Sequence, residues 1–486
     1  MSFTVAIVHY HLRTGGVTRV IEHACEALKN EGIKTVVLVG ETPAANLPAS
    51  TEVHVVPGLG YDETTQPDQP DQLADRLQQT ATAALGEAPS LWHVHNHALG
   101  KNCALPGALR LLAERGQHLL LQFHDFAEDG RPANYRRLLE YAGNGDQSQL
   151  GQALYPSADH IHYAALNGRD RTFLAQAGVD DDRLHLLANA VAIEGGEESN
   201  SDEDSKSGRL FLYPTRAIRR KNLGEFLLWS ALGSTFDRFA VTRAPRNPQQ
   251  RPYYDRWVAF ANKLNLPVTF ELGMTSNEAY SALLRSAHAL VTTSVAEGFG
   301  LVFLEPWLAN RPLCGRNLPQ ITTEFSDAGI NIENMYDRLD VPADWIDANE
   351  LRQRVEQSMN QSFDSYGQQI TNDDIDATIN DMIRNDRIDF GRLDEPLQET
   401  VIRHVVDTPG AASEIDPAAL LTVGDNAVEK NRQTVIARFS RDAYGKTLTG
   451  IYQSVIASPV SDVTGLDADA LLRTFLAPSN FNLLRT

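Results

Sequence analysis

An alternation of apolar strand and amphipathic helix runs through the first 190 residues, stops, and starts again; no other feature restricts this chain as strongly. FTVAIVHY (3–10), KTVVLVG (34–40), SLWHVH (90–95) and HLLLQFH (118–124) read as strands. GVTRVIEHACEALKNEG (16–32), closed by Gly32, and LPGALRLLAERG (105–116) carry helical periodicity. Strands that are apolar along their whole length need cover on both faces, and helices between them supply it, so the pattern predicts parallel sheets. Residues 194–208, EGGEESNSDEDSKSG, contain no apolar side chain and read as a solvated linker or exposed loop. The alternation then resumes: strands at 209–215, 237–243, 266–273 and 288–294, helices at 222–232 and 277–287, and FGLVFLEPWLAN (299–310) opening as a helix.

The expected architecture is therefore α/β, with two Rossmann-like domains facing across a central cleft. Residues 1–195 form the first; 196–208 are the acidic linker or loop; 209–445 form the second, with a helical insertion around 330–430. Residues 446–486 are a helical segment expected to cross back to the first domain, its lead being a long amphipathic helix at 432–456. No repeat with a period of 20–50 residues is visible. In such sheets ligands sit at the carboxyl ends of the strands.

Charge narrows the partners. Lys and Arg number 43 and Asp and Glu 63, a net charge of −20. That balance argues against bulk binding to nucleic acid or to anionic membranes. Cys25, Cys103 and Cys314 are far apart and fit no disulfide frame or zinc spacing. The apolar start, Phe3 to Val8, is too short for a secretory signal, and no run approaches the roughly 20 residues of a membrane helix. A soluble, cytoplasmic protein is expected.

Four stretches carry chemistry. In SVAEGFGLVFLE (294–305) a strand ends, glycines flank an aromatic residue, and Glu297 and Glu305 stand eight apart. Gly298 and Gly300 would let a ligand approach the backbone, and the N–H groups of 299–301 at a helix start would suit a diphosphate. A carboxylate such as Glu305 suits a pair of vicinal hydroxyls. A plain strand–turn–helix with a surface glutamate fits the same letters. In YPTRAIRRKNLGEF (213–226), Arg216 and Lys221 lie between a strand and a helix, where they would neutralise a diphosphate; Arg219 and Arg220 crowd the same turn. In HLRTGGVTRV (11–20), Gly15 and Gly16 precede the first helix without forming a dinucleotide fingerprint. In LLLQFHDFAEDG (119–130), His124 follows a strand and offers a hydrogen bond or a carbonyl. His93, His95 and His97 alternate along one strand, as metal ligands could, but no carboxylate completes such a site, and a polar pocket lining is the better reading.

Together these four stretches resemble the family 4 glycosyltransferases of the GT-B fold, over most of residues 1–320 and more faintly in the last helices. The Glu297–Glu305 pair enclosing GFGL is the most specific element, and the Arg216–Lys221 pair stands at the expected place before it. The resemblance implies a retaining transfer of a hexose from a nucleotide-diphospho-sugar, with no metal or other cofactor. It implies that Glu297 contacts the donor hexose, Glu305 the ribose, and Arg216 and Lys221 the diphosphate. Gly15 and Gly16 would lie near the donor phosphate, and His124 near the donor sugar. The base would be held in the loop near Leu272, Gly273 and Met274, with Gly298, Phe299, Gly300 and Leu301 completing the donor site. Beyond Glu305 the chain departs from the family, with Asn310, Arg311 and Pro312 in place of a Gly-Thr-Pro turn and with Arg316 and Asn317 in reach of the next loop.

For the acceptor, Arg13, Lys101, Asn102 and Arg131 are candidates to hold an anionic group, and a small soluble sugar or polar organic acid fits the acidic surface. A polysaccharide or glycolipid acceptor stays open, with a basic face at Arg131, Arg136 and Arg137 to meet a membrane. So do a nucleotide-sugar hydrolase or epimerase and a non-catalytic nucleotide-sugar-binding protein.

Overall fold

The computed structural model describes residues 3–43, 51–62, 67–191, 208–272, 277–415 and 427–485. The acidic stretch anticipated as a linker lies almost wholly outside the described residues. The chain divides into two units, Met1–Ala190 with Arg438–Ala477, and Val191–Ala437 with Pro478–Thr486.

In the first unit a seven-stranded parallel sheet is built from β1 (Thr4–Val8), β2 (Lys34–Val39), β3 (Glu52–Val55), β4 (Leu91–His95), β5 (Leu119–Gln122), β6 (Ile161–Ala165) and β7 (Leu184–Leu186). Their order is β3-β2-β1-β4-β5-β6-β7. All five residues of β1 and of β4 are buried, as strands covered on both faces must be. Helix α1 (Gly16–Asn30) buries Val20, Ile21, Ala24 and Leu28 against β1 and β2.

The second unit repeats the plan with five parallel strands: β8 (Leu210–Arg216), β9 (Arg238–Arg243), β10 (Val268–Thr269), β11 (Ala289–Thr292) and β12 (Leu313–Gly315), in the order β10-β9-β8-β11-β12. The strand expected over 266–273 shrinks to two residues, and Glu271 beyond it has a positive φ of 52°. The segment around 340–415, anticipated as a helical insertion, contributes to the same core. Leu351, Val355, Met359, Leu397 and Val401 pack with Phe226, Trp229 and Trp257. It also carries a short antiparallel sheet, in which Ile383–Arg384 and Arg387–Asp389 form a hairpin turning through Asn385 and Asp386 at positive φ. Arg316, expected near the ligand, is instead buried between Glu225 and Asp389, each at 2.7 Å. It pins the extra segment to the sheet, and removing either partner would leave a buried charge uncompensated.

The helix expected over 432–456 is two helices, Val428–Phe439 and Arg441–Ala457. Ser440 breaks it, because its side chain accepts from the Ala443 N–H and so starts a new helix. The second helix packs on α1, where Gly445 comes so close that a Cβ would lie 2.7 Å from that of Ala27. The return to the first unit thus begins at Arg438 rather than at 446, and residues 478–486 go back to the second unit.

Candidate active site

In the second sheet the strand order reverses between β8 and β11. Loops leaving the carboxyl ends of two such strands diverge, and the opening is where open α/β sheets receive ligands. Both of the most informative sequence stretches fall there. Arg216 ends β8, and a 3₁₀ turn, Arg219–Lys221, follows. The turn is laced to the loop after β11. Tyr213 donates to the Lys221 carbonyl (3.0 Å) and lies 2.8 Å from Ser294 Oγ. Thr293 donates to the carbonyls of Lys221 (3.1 Å) and Asn222 (3.0 Å), and the Val295 N–H to that of Arg220 (3.0 Å). Asn222 takes the left-handed conformation, φ 50°, that the turn into the next helix requires.

This lacing delivers Lys221 Nζ to Glu297 Oε1 in a short ion pair. Glu297 is buried. Burial by itself would raise its pKa, but Lys221 foremost, then Arg220, and hydrogen bonds from Lys221 and Ser294 overturn that and hold it below the ordinary value. The carboxylate is therefore charged at neutral pH.

Arg216 stands in the opposite situation. Burial and then the nearby guanidiniums of Arg246 and Arg243 lower its pKa. Arg243 ends β9 directly beside Arg216 in the parallel register. Among the described residues, none of Arg216, Arg243 and Arg246 has a carboxylate partner within ion-pair distance, in a chain with 63 acidic residues and 43 basic ones. Arg219 does not belong to this group. It pairs with Glu395 (2.7 and 2.9 Å) and lies over the Tyr253 ring, so the basic cluster read from sequence divides into a structural member and open ones. Arg243 and Arg246 escaped the sequence reading. The signal available was the arginine closing the strand at 237–243, as Arg216 closes its own.

The glycines of EGFG differ in kind. Gly300 has φ 93°, and a Cβ there would lie 2.8 Å from Ile321. At Gly298 there is room for a side chain: a Cβ would meet nothing within 4 Å. Phe299 is buried edge-on to Phe325, and Leu301 is exposed. The helix expected from 299 does not form as such. A 3₁₀ turn, Leu301–Phe303, leads into a four-residue helix, Glu305–Leu308, with Pro306 in its first turn, so no long helix dipole faces residues 299–301. Glu305, half-buried, is felt by Tyr280, whose ring also meets Arg243 at 5.6 Å. Leu272 donates its N–H to Val241, while Gly273 and Met274 lie outside the described residues.

The first sheet reverses order between β1 and β4, and the loops there carry Arg13 to Gly16 and Asn96 to Asn102. A Cβ at Gly16 would again meet nothing within 4 Å, and one at Gly15 only the Arg13 carbonyl oxygen at 3.8 Å. Tyr61 gathers Arg13 and Lys101 over its ring and lies 3.1 Å from His11 Nε2. Arg13 is paired with Glu41, whereas Lys101 has no carboxylate partner among the described residues. Asn102 is buried and fully used inside the fold, donating to the carbonyls of Gly58 and Gly60 and accepting from the N–H groups of Ala104 and Leu105. Its expected contact with an acceptor gives way to this structural task. Arg131 likewise pairs with Asp125 and donates to the Phe126 and Asp129 carbonyls. With Arg137 paired to Asp62, little of the basic face drawn from Arg131, Arg136 and Arg137 is left uncompensated.

The strand histidines are held by hydrogen bonds. His93 lies between Tyr452 Oη (2.7 Å) and Gln122 Oε1 (2.9 Å), His95 Nδ1 is 2.9 Å from His124 Nε2, and His97 turns to the Leu154 carbonyl. Among the described residues no cluster of His, Cys, Asp or Glu has metal-binding geometry. His124 is nearly buried, and burial first, then the neighbouring imidazoles of His9 and His93, push its pKa down to about 3. Further along the same loop, Glu128 is buried and accepts from Tyr155, and burial pushes its pKa up to about 7.

Comparison with known proteins agrees with the fold. Residues 15–190 match the family described as glycosyl transferase 4-like domain. The mannosylglucosyl-3-phosphoglycerate synthase of Petrotoga mobilis is 24% identical over 417 residues, 81% of this chain and 79% of that one. Among solved structures, sucrose-phosphate synthase from Thermosynechococcus elongatus superposes with a TM-score of 0.54 at 16% identity, covering 94% of this chain and 99% of that one. Anabaena HepE in complex with UDP-glucose gives 0.53 at 14%, over 93% and 100%. No helix among the described residues is long and apolar enough to cross a membrane. The match over residues 15–190, the two parallel α/β sheets and these superpositions give the chain the GT-B fold of two Rossmann-like domains.

Proposed function

We propose that the chain transfers a hexose, with retention of configuration, from a nucleoside-diphosphate sugar to a hydroxyl of a small polar acceptor that carries an acid group. The observation that carries the reading is the Lys221–Glu297 pair at the same strand-end switch point where Arg216, which closes β8, has no carboxylate partner among the described residues. As the glycosidic bond breaks, negative charge grows on the departing diphosphate, and fixed cations lower the barrier if they already stand where it appears. Arg216 meets the diphosphate, and Lys221 shifts from Glu297 toward the leaving oxygen. Glu297, released in part from Lys221, faces the sugar as it gains oxocarbenium character. Attack by the acceptor on the face the diphosphate leaves then gives retention without a covalent intermediate on Glu297. Glu305 grips the ribose hydroxyls, and the space left where a Cβ would stand at Gly298 and Gly16 lets phosphate or sugar come close. His124 hydrogen-bonds an oxygen of the donor sugar. These side chains supply the leaving-group stabilisation themselves, so no metal is required.

The acceptor reading rests on Lys101 and Arg13, collected around Tyr61, and on the phosphoglycerate in the name of the Petrotoga relative. It fits a cytoplasmic enzyme working on soluble metabolites. The test is a panel of nucleotide sugars offered with phosphorylated and carboxylated glycosides, with products read by mass spectrometry and anomeric coupling. An α-linked product from an α-linked donor, formed undiminished in EDTA, is the expected result. Inversion, or donor hydrolysis equally fast without any acceptor, would overturn it.

A further inference from the structure

We infer that His95 is a positioning residue that fixes the tautomer of His124, so that His124 can serve a bound sugar only as a hydrogen-bond donor from Nδ1. His95 Nδ1 and His124 Nε2 are 2.9 Å apart, with the ring planes 25° from parallel. His95 is wholly enclosed, with the His93 ring 4.3 Å away and His9 Nδ1 at its own carbonyl. Burial together with three neighbouring imidazoles keeps His95 neutral, and burial with the imidazoles of His9 and His93 keeps His124 neutral. Between two neutral imidazoles one nitrogen donates and the other accepts, so only two proton arrangements exist.

The remaining nitrogen of His95 separates them. Its Nε2 is buried and has no hydrogen-bond partner. If His124 were the donor, His95 would carry its proton on that Nε2, an N–H enclosed without an acceptor. If His95 donates from Nδ1, the enclosed Nε2 is a bare lone pair. Buried orphan N–H groups are the rarer and costlier of the two defects. The proton therefore sits on His95 Nδ1, His124 Nε2 accepts it, and His124 carries its own proton on Nδ1. The ring cannot easily swing out of this arrangement, because Asn96 Oδ1 accepts the backbone N–H of both His124 (2.8 Å) and Asp125 (3.0 Å). Asn96 is itself fixed at φ 59°, directly after the strand that carries His95.

The consequence deepens the proposed function and rests on it in one respect, that His124 meets the donor sugar. With Nε2 engaged and Nδ1 protonated, His124 has no free lone pair. It is excluded as a general base toward the acceptor and is left to donate to a sugar oxygen. The experiment uses the full chain with ¹⁵N-labelled histidine, in which ring nitrogens bearing a proton resonate far from those that do not. The His124 signals are assigned by their loss in His124→Gln. The expected result is a single Nδ1–H form of His124, unchanged between pH 6 and 8. His95→Asn, whose amide N–H lies near the former Nδ1, should retain that form and most of the turnover. His95→Phe should give a mixture of tautomers and about a tenfold lower kcat, with a smaller change in KM for the donor. A His124 protonated at Nε2 in the wild type, or a His95→Phe enzyme with unchanged tautomer and kcat, overturns the inference. If His95→Phe does not fold, the wild-type and His95→Asn spectra decide. If the tautomer is as stated but His124→Gln turns over normally, the role of His124 at the sugar fails while the effect of His95 stands.

Discussion

The two units repeat one plan and place opposite electrostatics on it. At the switch point of the second sheet the groups are charged. Glu297 is held ionised by Lys221, and Arg216, Arg243 and Arg246 repel one another with no carboxylate paired to them among the described residues. Where β1, β4 and β5 of the first sheet end, the buried histidines are held neutral. His9, His93, His95 and His124 all have pKa values lowered by burial, and Glu128 has one raised by it. On the proposed reaction, the charge that grows on the departing diphosphate is met by standing charge, whereas the sugar hydroxyls are oriented by hydrogen bonds whose donors and acceptors do not change.

The sharpest way to break this contrast is to remove the cation at the second switch point. Lys221→Met should lower kcat by about 10²–10³-fold, a loss of roughly 3–4 kcal/mol of transition-state stabilisation. It also leaves Glu297 as a lone buried carboxylate, which costs stability of about 3 kcal/mol or more. The double variant Lys221→Met with Glu297→Gln separates the two effects. Its thermal midpoint should return toward that of the wild type while kcat stays low. Recovery of turnover along with stability would mean that Lys221 serves the fold alone.

Glu128 tests the neutral side. Its pKa rises from the ordinary 4.5 to about 7 on folding, because burial disfavours the ionised form. The sign follows directly. The folded state holds the proton more tightly than the unfolded one, so the contribution to stability is complete below about pH 4.5 and is lost as pH rises through 7. The shift corresponds to about 3 kcal/mol between those limits. Glu128→Gln, which can still accept from Tyr155, should flatten the fall in denaturant-measured stability between pH 5 and 8.5. An unaltered pH slope would show that this loop tolerates charge, and the contrast between the units would weaken.

How much of this was legible in sequence depends on how local each cause is. β1 and β4 could be read because burial on both faces writes an unbroken apolar run, and Arg216, Lys221 and Glu297 could be read as residue types beside strand ends. Where a local breaker competes with periodicity, the reading erred. Ser440 caps a new helix inside an apolar pattern that continues past it, and Gly300 with Pro306 reduces the expected helix at 299–310 to short turns. Contacts set by strand pairing were invisible. Lys221 and Glu297 are 76 residues apart, and only the β8–β11 adjacency joins them. The His95–His124 pair needs β4 beside β5, and the closeness of Arg243 to Arg216 needs the β8–β9 register. Asn102 looked like a ligand contact because an asparagine after a strand is ambiguous until its four hydrogen bonds are seen.

The register of β8 and β9 also yields the smallest predicted effect, and the one that tests the charged side most finely. Arg243 and Arg246 are exposed and lie at the edge of the cluster, so each should contribute less than Arg216 to holding a diphosphate. Arg243→Gln with Arg246→Gln should weaken binding of a nucleoside diphosphate by about tenfold, near 1.4 kcal/mol, at low salt. Because the contacts are solvent-exposed, screening should shrink that difference as ionic strength rises past about 0.15 M. Relieving their repulsion should also leave Arg216 more comfortably charged in the free protein, so thermal stability is expected to hold or rise slightly. Titration calorimetry at two salt concentrations reads both effects. Equal affinity in wild type and variant at low salt would restrict the diphosphate cradle to Arg216 and Lys221 and leave the open guanidiniums at the end of β9 without a part in it.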